Sequence, residues 1–169
     1  MNHSPHISRR VGEIPKSAIH EMTALSKKVP DVSFLSWAKP TSGTPGHIKQ
    51  AAIEAIQKDL VGGYSETPGI PLLREEIVKK LKRDNKIYAS TSQILVTVGA
   101  IEGLAAAIMA IIDPGDEVIL PTPTYSTHIR QVNIASGKPV LVPLLEEEGY
   151  GWDITAVKNA ITPRTKAIL

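Results

Sequence analysis

The sequence predicts an α/β fold built on a parallel sheet, and three observations carry that expectation. From Gln93 onward short β-branched runs alternate with helical patterns, and strands spaced by helices return in parallel. Asp113-Pro114-Gly115-Asp116 has proline and glycine where a type II turn wants them, so it joins a helix to the next strand. A hydrophobic content of 42% over 169 residues supplies a core for one domain or one lobe of a larger one.

Taken in order, residues 15–29 place Ala18, Met22, Leu25 and Val29 at helical spacing between Pro15 and Pro30. Residues 32–39 read as extended. The loop 40–45 ends in Thr44 as N-cap with Pro45 at the first helical position, and Ile48, Ala52, Ala55 and Ile56 line a helix running to about Leu60. Val61-Gly62-Gly63 ends it. After Pro71, Leu73, Ile77 and Leu81 share a helix face, with Glu75/Lys79 and Glu76/Lys80 as i,i+4 pairs on its wet side. Then follow strand 94–98, helix 101–112, strand 118–121, helix 125–136, strand 140–144, helix 153–161 and strand 167–169. Lys166-Ala167-Ile168-Leu169 reads as a core strand with no exit, an expectation of a chain that stops in the middle of its sheet. Strand ends after Val98 and Leu120 are those expected to carry ligands.

Composition removes several function classes. Nineteen basic against seventeen acidic residues give a formal charge of +2, far short of a nucleic-acid binder's surplus. The chain has no cysteine, so thiol catalysis, thiolate metal sites and disulfides are excluded, and its five histidines fall in no metal-ligand spacing. The longest apolar run, Leu104 to Ile112, is nine residues. That is about half a bilayer span, so it reads as a buried core helix and no membrane partner is expected. Met1 to His6 lacks the apolar block of a signal peptide, and a cytoplasmic location is the expectation. No Gly-x-Gly-x-x-Gly follows any strand, which disfavours a nicotinamide site.

Three segments carry chemistry. Val96-Thr97-Val98-Gly99-Ala100-Ile101 is a β-branched run that stops at a glycine and becomes a helix. Such a turn is either an ordinary tight connection or a phosphate site. In a phosphate site, free first-turn N–H groups and roughly half a positive charge from the helix dipole would face the anion. Tyr64 sits on the glycine-rich loop leading to Leu73-Arg74, where a tyrosine is most often a packing residue with a wet hydroxyl. Pro121-Thr122-Pro123-Thr124-Tyr125 aims a single ring at the end of the sheet, where it either stacks on a planar cofactor or caps the core.

In this order and spacing the pieces resemble the N-terminal half of the class I and II aminotransferases, fold-type-I enzymes that use pyridoxal 5'-phosphate. The resemblance runs from about residue 32 to 169. It rests on Pro40 with Thr44-Pro45-Gly46-His47-Ile48, Tyr64 with Gly69 and Leu73-Arg74, and Val96 to Ala100, then on Asp113 to Val118, Pro121 to Tyr125, and Thr162-Pro163-Arg164-Thr165-Lys166-Ala167. It implies the N-terminal part of that three-layer fold, a parallel-rich sheet flanked by helices and truncated mid-sheet. Residues 1–44 would be an N-terminal arm with part of the small domain, and residues 45–169 the first part of the large cofactor-binding domain.

The resemblance also implies roles. Backbone N–H groups around Gly99, Ala100 and Ile101 would hold the cofactor phosphate, Tyr125 would stack on the pyridine ring, and Tyr64 would reach the partner subunit's cofactor phosphate in a homodimer. Ala38 stands beside the substrate carboxylate where the family usually has glycine. Ile101 stands where some aspartate-type members carry lysine, which weighs against a second substrate carboxylate, and Ser126 replaces the proline that often follows the stacking aromatic. The Schiff-base lysine, the aspartate facing the pyridine nitrogen and the substrate-gripping arginine would all lie beyond Leu169, so no catalytic residue is assigned, and Lys166 reads as a charge at the start of a strand. The implied reaction is amino-group transfer between an amino acid and a 2-oxo acid. Its rivals are a lyase of the same fold, such as a carbon–sulfur lyase, and a non-catalytic sensing domain, against which the short N-terminal segment and the absent basic patch both weigh.

Overall fold

The computed structural model describes residues 6, 8–12, 14, 18–33, 35 and 40–169. They fall into two compact units, one of Ala18–Thr97 and one of Val98–Leu169 with the described residues before Ala18.

In the first unit, helix α2 spans Ala18–Ser26, after a single turn α1 at Arg9–Gly12 that belongs to the other unit. The expected helix was to reach Val29. It ends earlier because the amides of Lys28 and Val29 bond to Leu25 and Ser26 in three-residue turns ahead of Pro30. Helix α3 is Gly46–Gln57, and its cap is Pro45 rather than Thr44. Pro45 keeps an extended ψ of 144°, and its carbonyl takes the Ile48 and Lys49 amides, so the helix starts one residue later than expected. It also ends before Leu60. Asp59 adopts a φ of +53°, and the Leu60 amide turns back to the Ala55 carbonyl, closing the helix ahead of the glycines.

Helix α4, Pro71–Lys80, has proline at its first turn, where a missing N–H costs nothing, and runs into a π-type turn at Leu81–Asn85. Its ion pair is Glu76–Lys79 at 2.7 Å, an i,i+3 contact, while Lys80 donates to Asn85 instead of to Glu76. Residues 94–98 do not form the expected strand. Val96 bonds through its amide to the Pro68 carbonyl at 3.0 Å, and among the described residues no strand runs alongside to make a ladder.

The second unit holds the sheet. Strands β1 (Glu117–Thr122), β2 (Lys138–Leu145), β3 (Gly151–Trp152) and β4 (Thr165–Ile168) lie in the order β3-β2-β1-β4. β1 pairs in parallel with both β2 and β4, as the alternation required, and only the short β3, which the sequence reading missed, runs antiparallel. Helices α5 (Gly99–Ile111), α6 (Ser126–Ile134) and α7 (Ile154–Ala160) fill the connections. Asp153 caps α7, its Oδ1 accepting from the Ala156 amide at 2.9 Å. The expected turn closes between Asp113 and Asp116 with Gly115 at φ +91°.

Four consecutive β1 residues, Glu117 to Leu120, are buried, as a central parallel strand must be. Val118 and Leu120 pack with Ile108 and Ile112 from the end of α5 and with Val132 of α6 to make the core. Glu117 is the buried charge at the start of β1. Its carboxylate accepts from Thr162 Oγ1 at 2.6 Å, Arg164 at 3.0 Å and Lys138 at 3.1 Å, which ties together the starting ends of all three parallel strands. Those bonds, that of Thr162 first, bring its pKa down to about 2. Lys166 pairs with Asp116 at 3.6 Å, in keeping with a charge at a strand's start.

Candidate functional site

The starts of α5 and α6 present Gly99, Ala100, Ile101 and Tyr125, four of the residues singled out by sequence. Helix α5 starts at Gly99 itself, two residues before the expected start, and Gly99 has a φ of +76°. A side chain there would be strained, and a Cβ would project into open space with no neighbour within 4 Å. The turn therefore combines a backbone that favours glycine with open space at Gly99 itself, next to the amides of Ala100 and Ile101, which open the helix and have no acceptor within it.

Two polar side chains that sequence reasoning passed over hold this turn. Glu102, an acid in the first turn of α5, accepts from the Val98 amide and so ties off the residue preceding the helix. Gln131, in the middle of α6, donates from Nε2 to the Ile101 carbonyl at 2.8 Å. Glu102 offered only an acid three residues after Gly99. Gln131 had only its polarity next to the apolar Val132.

Tyr125 is the residue immediately before α6, reached from β1 through a cis Thr122–Pro123 bond. Its side chain is half exposed, and its ring meets His128 edge-on, with centroids 5.5 Å apart and planes at 80°. Ser126 opens the helix, so the replacement of proline there leaves the helix start intact. Gly99, Ala100, Ile101 and Tyr125 thus lie in one compact unit, at the starts of two helices, and Gln131 in the middle of α6 bonds to the first turn of α5.

Tyr64 belongs to the other unit, on the connection between α3 and α4, with its ring fully exposed. Leu60, Val61 and Ile70 line an open groove beside it. The connection is held by Arg74, whose guanidinium donates to the Gly69 carbonyl at 3.0 Å, to Glu66 at 2.8 Å and to the Thr91 carbonyl at 3.3 Å. Gly69 is buried at a φ of +103°, against Val96. Ala38 lies outside the described residues. Among the described residues no cluster of side chains suits a metal ion, and no helix is long and apolar enough to cross a membrane.

A mostly parallel α/β sheet with helices starting at its strand ends is an architecture that solved aminotransferases share. The aspartate aminotransferase of Thermus thermophilus with maleate matches 98% of this chain and 44% of its own at a TM-score of 0.90 and 37% identity. In sequence, a probable aspartate/prephenate aminotransferase of Thermus aquaticus is 38% identical over 167 residues, covering 96% of this chain and 43% of that protein. An aspartate aminotransferase of Geobacillus stearothermophilus is 36% identical over the same length, covering 42% of that protein. The family model described as aminotransferase class I and II matches residues 32–169, and the chain belongs to that family. The family is pyridoxal-phosphate-dependent. The chain spans less than half the length of these relatives.

Proposed function

We propose that this chain supplies the cofactor grip of a pyridoxal-phosphate-dependent aminotransferase that moves an amino group between an amino acid and a 2-oxo acid. The observation that carries the reading is the turn at Gly99. A glycine with positive φ leaves space before a helix N-terminus, in a chain whose family uses a phosphorylated cofactor. The residues present fit both ends of that molecule. The Ala100 and Ile101 amides, at the turn that Gly99 makes, would meet a phosphate with the favourable end of the α5 dipole, and the half-exposed Tyr125 ring offers a stacking surface at the neighbouring helix start.

When bound, pyridoxal phosphate supplies an aldehyde that captures the amino group and a ring that withdraws electrons from the substrate's Cα. This chain's residues bind and orient. The α5 turn fixes the phosphate, Glu102 keeps the turn in shape, and Tyr125, steadied edge-on by His128, limits ring tilt. Tyr64, exposed on its Arg74-clamped loop, extends to a phosphate in a second subunit, so the working form is a homodimer. Residues 1–44 form the arm and part of the small domain, and residues 45–169 the first part of the large one. The lysine that bonds the cofactor lies outside these 169 residues.

Titration with pyridoxal phosphate, followed by borohydride reduction and intact-mass measurement, tests this reading. The expected result is saturable binding, competed by inorganic phosphate and weakened by Gly99→Ala and Tyr125→Leu, with no stoichiometric adduct after reduction. Binding that ignores both substitutions removes the proposed grip. A single-site adduct on one of this chain's lysines contradicts the placement of the lysine.

A further inference from the structure

Gln131 is 6% exposed, and its two amide atoms are treated unequally. Nε2 donates to the Ile101 carbonyl at 2.8 Å, across thirty residues of sequence. Oε1 is buried with no hydrogen-bond partner among the described residues. An unpaired buried carbonyl costs folding free energy, and an apolar side chain of similar shape would avoid that cost. The bond is not needed to satisfy Ile101 either, because an α-helix already offers that carbonyl the amide four residues on. What the bond does is geometric. It ties the first turn of α5, which opens at Gly99 and carries the Ala100 and Ile101 amides, to the middle of α6, which begins directly after Tyr125.

Pyridoxal phosphate joins its phosphate to its ring by one short covalent arm, so a site gripping both ends must hold its two grips at a fixed separation. We infer that Gln131 is a positioning residue that sets the spacing between the phosphate-binding turn at Gly99–Ile101 and the stacking ring of Tyr125. The inference rests on the cofactor reading above and deepens it. Gln131, buried and bonded to the Ile101 carbonyl, is assigned no contact with the ligand itself. Its effect falls on a ligand that spans both grips and not on one that uses the turn alone, and this separates spacing from simple support of the fold.

The test compares wild type with Gln131→Met, and with Gln131→Leu as a second apolar shape should the first not fold. Affinity is measured for pyridoxal phosphate and, separately, for inorganic phosphate, together with the melting temperature. The expected result is an affinity for pyridoxal phosphate lowered about tenfold. Affinity for inorganic phosphate stays unchanged, and the melting temperature is equal or higher because the unpaired Oε1 is gone. Unchanged affinity for pyridoxal phosphate in a folded variant overturns the inference, as does an equal loss for both ligands. If wild type binds pyridoxal phosphate no better than inorganic phosphate, the cofactor reading itself fails and this inference with it. A wild-type preference that survives the substitution overturns only the role of Gln131.

Discussion

Gly69 gives the sharpest stability prediction. At a φ of +103° it occupies a backbone region that L residues avoid, and an added Cβ would lie 2.6 Å from Val96 Cγ2 and 2.7 Å from Val96 Cβ. Placing alanine there costs about 1–2 kcal/mol for the backbone. Displacing Val96, whose amide is anchored on Pro68 at 3.0 Å, costs roughly another 1–3 kcal/mol. Alanine's smaller unfolded-state entropy returns about 0.4–1 kcal/mol, leaving a net loss of about 1–5 kcal/mol. The matched control is Gly63→Ala, where a Cβ meets nothing within 4 Å and no positive φ is involved. Amide hydrogen exchange across residues 61–97 reads the difference. Gly69→Ala lowers protection by about fivefold or more, whereas Gly63→Ala leaves it within about threefold. Equal protection in the two variants refutes the reasoning, because it would mean that neither the turn's handedness nor its packing on Val96 is required.

Other expectations follow from the sheet. Glu117 has its carboxyl depressed to about 2, so the unfolded chain takes up a proton here before the folded one does. Its stabilising effect is complete above the ordinary carboxylate range and drains away as pH falls towards 2. Urea midpoints measured between pH 6 and pH 2 therefore decline less steeply in Glu117→Gln than in wild type, and parallel curves contradict the clamp. Gly137→Ala places a Cβ 2.7 Å from Ile112 Cγ2 and 3.1 Å from Val132 Cγ1 in the core, costing about 1–3 kcal/mol in urea unfolding, and a neutral result would show that this packing yields freely. Leu120→Ala, at a fully buried site, costs about 2–5 kcal/mol by the same assay, and a loss below 1 kcal/mol would place Leu120 outside the core.

Much of this molecule is legible in its residues, and the misses have physical causes. The run Val118-Ile119-Leu120 announces a strand buried on both faces, and Asp113-Pro114-Gly115-Asp116 announces the turn ahead of it. Residues 94–98 are as β-branched, but a strand needs a neighbour, and composition does not reveal that the Val96 amide meets an isolated carbonyl. Helix limits slipped where one backbone angle decides, at Pro45 and at Asp59. At the candidate site, Gly99 and Tyr125 stand out in sequence because glycine and aromatic residues are rare signals in their places. Glu102 and Gln131 do not, because their roles are bonds to backbone groups that only the folded chain brings near.

The most direct test of the central claim is an amide NMR titration of the chain with pyridoxal phosphate. Saturable shifts are expected at Gly99, Ala100 and Ile101, with ring-current shifts at Tyr125. Inorganic phosphate should reproduce the first set and not the second. Saturation with no change at those amides, or with changes centred elsewhere, would contradict that claim.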